Sequence, residues 1–156
     1  SSLQWKDDNV MALNNYAYYL SEKGVDLHKA ESMSYKTIKA EPNNGTYLDT
    51  YAWILFMEER YADAKTYIDQ ALKNRDSTAD NSTVLEHAGD IYYFNGMTDE
   101  SVDFWKKAYT GENQTEVLAW KIKNRQYITE EELKKRNAPK QKPAATKKSV
   151  RKGKKK

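Results

Sequence analysis

The sequence predicts an all-α fold of antiparallel helix hairpins stacked side by side. Three observations lead there. One stripe of residues recurs three times: Leu13, Ala17 and Leu20; Leu48, Ala52 and Leu55; Leu85, Gly89 and Tyr92. In each, a leucine is followed four residues on by a small residue and three further on by a large one, the spacing of a single helix face. The small residues stand 35 and 37 positions apart, a period that marks repeat architectures. Residues 1–128 hold one proline, Pro42, which leaves room for uninterrupted helices.

Each of these helices is followed by a second, whose small residue is Ala30, Ala64 or Ser101. Further along come Ile68 and Ala71 in the second unit and Trp105 and Ala108 in the third; the first unit has the more polar Ser34 and Thr37. Small residues have a physical reason at these places. Helices in a hairpin approach to about 8–10 Å, and a large side chain at the crossing would force them apart. A lone hairpin cannot bury its apolar face, so units must stack. Gly24 and Gly96 lie between paired helices and are expected to end them in left-handed geometry. The triplets beginning at Asn44, Asn81 and Asn113 read as helix-start turns, with Asn81 or Ser82 the expected cap of its helix.

This reading divides the chain into repeats at residues 9–42, 43–80 and 81–113. Asp7 precedes Leu13 by six positions, as Pro42 precedes Leu48, so residues 1–8 read as the remnant of a preceding repeat. Val117, Leu118, Trp120 and Ile122 mark a capping helix within residues 114–127. Residues 128–156 read as a basic, mostly disordered tail, with a short helical extension over residues 130–136.

The period and the register of small residues resemble the tetratricopeptide repeat, over residues 7–113. The resemblance rests on Ala17, Ala52 and Gly89 in the first helices, on Ala30, Ala64 and Ala108 in the second, and on the turn Glu41-Pro42-Asn43-Asn44. The sequence departs from the family pattern at Asp76 and Asn113, where proline is common, at Ser101, and at three extra residues, Ser77-Thr78-Ala79. The resemblance implies a right-handed superhelix, here the C-terminal part of a longer bacterial-type array. Its first helices would line a concave face that grips a peptide or helix of a partner protein. Carried over by register, the partner-binding residues are Asn14, Tyr18, Asp49, Trp53, Phe56, Met57, Glu86, Asp90 and Tyr93. The competing reading places at least two of Trp53, Phe56 and Tyr93 in the core. Matching positions carry no Lys or Arg, which argues against a clamp for a chaperone's C-terminal carboxylate.

Charge is divided along the chain. Residues 134–156 hold twelve Lys or Arg and no acid, while residues 1–133 hold 14 basic residues against all 23 acids, a net charge of −9. The basic segment admits three roles: a solvated terminus, a tether to nucleic acid or an anionic surface, or a visitor to the acidic concave face. The absence of cysteine excludes disulfides, thiolate metal sites and a cysteine nucleophile. His28 and His87 lie in different repeats without a close carboxylate–histidine pattern, so no metal is expected at either. No glycine-rich phosphate loop occurs and no cofactor is expected. No apolar run approaches the roughly 20 residues of a membrane span. The expected function is therefore a non-enzymatic interaction scaffold, in the cytoplasm or on the periplasmic side of a bacterial envelope.

Overall fold

The computed structural model describes residues 2–76 and 80–138, with side chains from residue 9 onward. The inserted Ser77-Thr78-Ala79 and the basic segment 139–156 lie outside the described residues. Among the described residues eight α-helices follow one another: α1 (Ser2–Lys23), α2 (Leu27–Ala40), α3 (Gly45–Met57), α4 (Tyr61–Lys73), α5 (Ser82–Phe94), α6 (Thr98–Ala108), α7 (Glu116–Asn124) and α8 (Glu130–Asn137). A short 3-10 turn, Gly111–Asn113, joins α6 to α7. No strand occurs among the described residues.

The helices pair as the repeat demands: α1 with α2, α3 with α4, α5 with α6. Neighbouring hairpins meet through α2 on α3 and α4 on α5, and α7 closes on α6. The small residues sit at the crossings. Ala17, Ala30, Ala52, Ala64 and Ser101 are wholly buried. Helix α3 lies at the centre and is buried from Tyr47 through Leu48, and again from Thr50 through Phe56, as expected of a helix that is apolar nearly all round. Ile38, Leu48, Leu55, Ile68 and Ile91 fill the space between hairpins.

The three turns within hairpins share one geometry. The amide of Val25 donates to the carbonyl of Leu20, Arg60 to Leu55 and Met97 to Tyr92, at 3.2, 2.9 and 3.0 Å. These bonds close the helix ends by using carbonyls that the helix itself leaves free. The left-handed residue is Gly24 in the first turn and Gly96 in the third. In the second it is Glu59, at φ 64°, so this turn forms without the glycine that marks the other two.

Helix starts follow local chemistry. Asn44 accepts the amide of Tyr47 and Thr115 that of Leu118. Helix α5 differs from the expectation: the Asn81 side chain makes no capping bond and donates to the carbonyl of Asp76, while Asp80 accepts the amide of Ser82. Helix α1 is continuous through Asp7, where the period suggested a turn. The packed body also runs past residue 127. Ile128 and Leu133 are buried, and a reciprocal cap between Thr129 and Glu132 starts α8. Acids fill the first turn of α8 and Lys134, Lys135 and Arg136 its last, which matches the helix dipole.

Gly89 marks the tightest crossing. A β-carbon there would lie 2.3 Å from Cδ1 of Trp105, a wholly buried ring with no room to retreat. Gly89→Ala should gain about 1 kcal/mol of helix propensity and lose more to overpacking, which costs about 1–3 kcal/mol or above. A lower urea midpoint in the variant is the expected result.

Candidate functional site

One side of the stack carries a cleft in two adjoining parts that share Tyr18 and Thr83. The first part, about 660 Å³, runs between the N-terminal halves of α3 and α5 and the middle of α1. Asn14, Asn15, Asp49 and Thr50 line it, with Asn43, Asn44, Asn74, Asp76, Asp80 and Asn81 from the connections. The second part, about 440 Å³, is lined by Glu22, Trp53, Met57, Glu86, His87 and Asp90, and is closed by Lys121 of α7 and residues 127–131.

The floor is an aromatic stack. The His87 ring lies on Trp53 at 4.1 Å and 17°, and Trp53 lies on Phe56 at 4.7 Å and 18°. Tyr18 lies tilted near His87, with 6.3 Å between the ring centres. Phe94 and Tyr127 meet Phe56 edge-on beneath. Such pairs add about 0.5–1.5 kcal/mol each beyond the area they bury. They also fix the floor as a rigid surface.

Two buried charge pairs brace it. Nδ1 of His87 lies 2.9 Å from Oδ1 of Asp49, joining α5 to α3. Burial disfavours a charged imidazole, but Asp49, Asp90 and Glu86 outweigh it and hold His87 above its ordinary pKa. Lys121 donates to Oδ1 of Asp90 at 2.8 Å and to Oε2 of Glu86 at 3.0 Å, tying α7 to α5. Burial opposes its charge too, yet Asp90 and Glu86 raise the ammonium above the usual lysine value. Asp90 is shared, since it also accepts the indole N–H of Trp105 at 2.9 Å. The Tyr18 hydroxyl is pushed well above its usual range by burial and then by Glu22 and Asp49.

Two polar atoms on the lining have no hydrogen-bond partner: Oδ1 of Asn14 and Nε1 of Trp53. Both are buried, so each carries an unmet hydrogen-bonding demand.

Of the residues singled out from sequence, Asn14, Tyr18 and Asp49 line the first part, and Tyr18, Trp53, Met57, Glu86 and Asp90 the second. Phe56 and Tyr93 do not reach the cleft. Phe56 is buried beneath Trp53, and Tyr93 packs beside Trp105. The positions compared for a carboxylate clamp hold no Lys or Arg, but Arg75 and Lys121 line the cleft from beyond the end of α4 and from α7. The sequence shows no local carboxylate–histidine pattern at His87. The fold supplies Asp49 from 38 residues away, a pairing with no local signal. Away from the cleft the fold also gathers His28, Glu31 and Glu58 within 4.8 Å of one another. There Arg60 lies 3.0 Å from Glu31, and the Tyr51 hydroxyl donates to the same oxygen, so the cluster already holds its own cation.

The arrangement of hairpins has close counterparts among solved structures. The first TPR domain of Spaghetti (RPAP3), bound to the HSP90 peptide SRMEEVD, superposes with a TM-score of 0.65 at 13% identity, over 76% of this chain and 90% of that one. The N-terminal domain of stress-induced protein-1 from C. elegans gives 0.58 at 20% identity, over 76% and 94%. The TPR2AB domain of yeast Sti1 in a complex with pHSP90 gives 0.57 at 22%, over 83% and 48%. The fold is the tetratricopeptide fold. In sequence, the chain is 35% identical over 66 residues to a TPR repeat-containing protein, PA4667, of Pseudomonas aeruginosa. The match covers 42% of this chain and 11% of that protein, so the chain spans a small part of its relative's length. No family model matches.

Two outcomes are expected. Lys121→Met strips Asp90 and Glu86 of their counter-ion in a buried site, which should cost about 3–5 kcal/mol in urea unfolding. The His87–Asp49 pair should make stability depend on pH. His87 binds its proton more tightly folded than unfolded, so the pair's contribution is complete below about pH 6.5 and is lost as pH rises through the raised folded value. Melting temperatures across this range should fall with rising pH in the native chain and follow a flatter line in Asp49→Asn.

Proposed function

We propose that the cleft holds an extended, lysine-rich segment of a partner protein, and that the chain acts as an interaction scaffold without catalysis of its own. The observation that carries this reading is an acidic rim around a cleft lined by Tyr18 and floored by the braced aromatic stack. Tyr18 offers aromatic contact area at small entropy cost, over a floor in which Trp53 is held between His87 and Phe56. Exposed Glu22, Glu130 and Glu131 at the second part, with Asp76 and Asp80 at the first, set a field that attracts cations. The contact residues would thus be Asn14, Tyr18, Asp49, Trp53, Met57, Glu86 and Asp90, with Phe56 and Tyr93 supporting them from below.

The TPR neighbours support a peptide as the class of ligand, since two of them are described in complex with HSP90 or its peptide. Charge sets this chain apart. The SRMEEVD peptide carries three acids, and an acidic cleft would repel it. Lys121 offers no remedy, being already bound to Asp90 and Glu86. The same commitment supports a binding role over an enzymatic one. His87 and Lys121, the titratable cations facing the second part, are spent as braces between helices.

The test is fluorescence anisotropy with a labelled lysine-rich peptide. Binding should weaken steeply with added salt. The exposed pair Glu130→Lys with Glu131→Lys should weaken it by roughly tenfold, or ~1.4 kcal/mol, and Tyr18→Ala by a similar factor with little change in salt slope. Equal affinity in the charge-reversed and native chains would sink the proposal.

A further inference from the structure

We infer that the chain's own basic segment, residues 139–156, occupies the cleft when no partner is present, so that a partner binds by displacing it. The inference rests on the reading of the cleft as a site for basic, extended chains. It adds the regulation of that site.

Charge and reach both favour this occupant. The segment holds nine Lys or Arg and no acid in 18 residues. The second part of the cleft presents Glu22, Glu86, Asp90, Glu130 and Glu131, and the one lysine facing them is already paired. Helix α8 starts on the rim itself, at Glu130 and Glu131, and ends at Asn137. Eight helical residues carry the chain about 12 Å from the rim. Eighteen more, at up to ~3.3 Å each, span about 60 Å. Four residues or so bring the chain back, and the rest can lie along the cleft. Pro139 and Pro143 fall in the returning stretch, where no helix is needed.

Tethering makes even a weak contact count. A short flexible connection gives an effective concentration of about 1 mM. A segment with an intrinsic Kd of about 0.1 mM would then fill the cleft some nine-tenths of the time, and the apparent affinity for any competitor would drop about tenfold.

The experiment compares the native full-length chain with a full-length variant in which the nine basic residues of 139–156 are changed to Gln. The probe is a labelled synthetic peptide of residues 139–156. The neutral-tail variant should bind it about tenfold more tightly than the native chain. The indole N–H resonance of Trp53 should differ between the two forms, converge in high salt, and keep its position on dilution. Equal affinity of both forms for the probe overturns the inference while leaving the cleft reading intact. A Trp53 shift that vanishes on dilution also overturns it, because the contact is then made by a second copy. Failure of the probe to bind either form overturns both the inference and the reading on which it rests.

Discussion

Every hairpin in this chain closes around a place where a side chain cannot grow. Ala17 faces α2, Ala52 faces α4, and Gly89 lies against the Trp105 ring, with Ala30, Ala64 and Ser101 opposite them. These contacts set the distance between paired helices, and that distance sets the tilt between hairpins. The tilt in turn brings the first helices together as one wall. Asn14, Asp49 and Thr83 belong to three different helices, yet they line one cleft because the crossings beneath them are uniformly tight.

Much of this was legible in the sequence. The small residues at 35 and 37 positions report the hairpins directly, because packing at a crossing leaves a mark at fixed spacing. The helix-ending roles of Gly24 and Gly96 were legible for the same reason, since a left-handed residue favours glycine. What escaped was chemistry joined across long separations. Nothing local links Asp49 to His87, or Lys121 to Glu86 and Asp90. Each pair forms only because stacking has already placed the helices. Register alone placed Phe56 and Tyr93 on the cleft face, and neither lines the cleft. Each lies close to a cleft residue in sequence, but a helix turns by a third of a revolution or so per residue, so Phe56 is buried and Tyr93 is half-buried against Trp105.

The cleft separates two uses of charge. Inside, His87 with Asp49 and Lys121 with Asp90 and Glu86 neutralise one another and fix geometry. At the rim, Glu22, Glu130 and Glu131 face solvent and keep their field. A buried pair contributes little net attraction for a ligand, because its fields cancel at short range. An exposed carboxylate contributes mainly to encounter and selectivity. The aromatic floor supplies the contact area between them. Net charge, +3 for the whole chain, conceals all of this, because the acids and the bases occupy different segments.

In a solenoid a helix outside the hairpins touches few neighbours and can peel away. Helix α7 has a defence against that. It is a short helix, Glu116–Asn124, but its Lys121 reaches back 31 and 35 residues to α5, past its immediate neighbour α6. Lifting α7 alone would leave two carboxylates exposed to each other without their cation. Parting α7 from α5 therefore carries the cost of uncovering a buried charge cluster. One lysine thus ties the wall that closes the second part of the cleft to the helix beneath it.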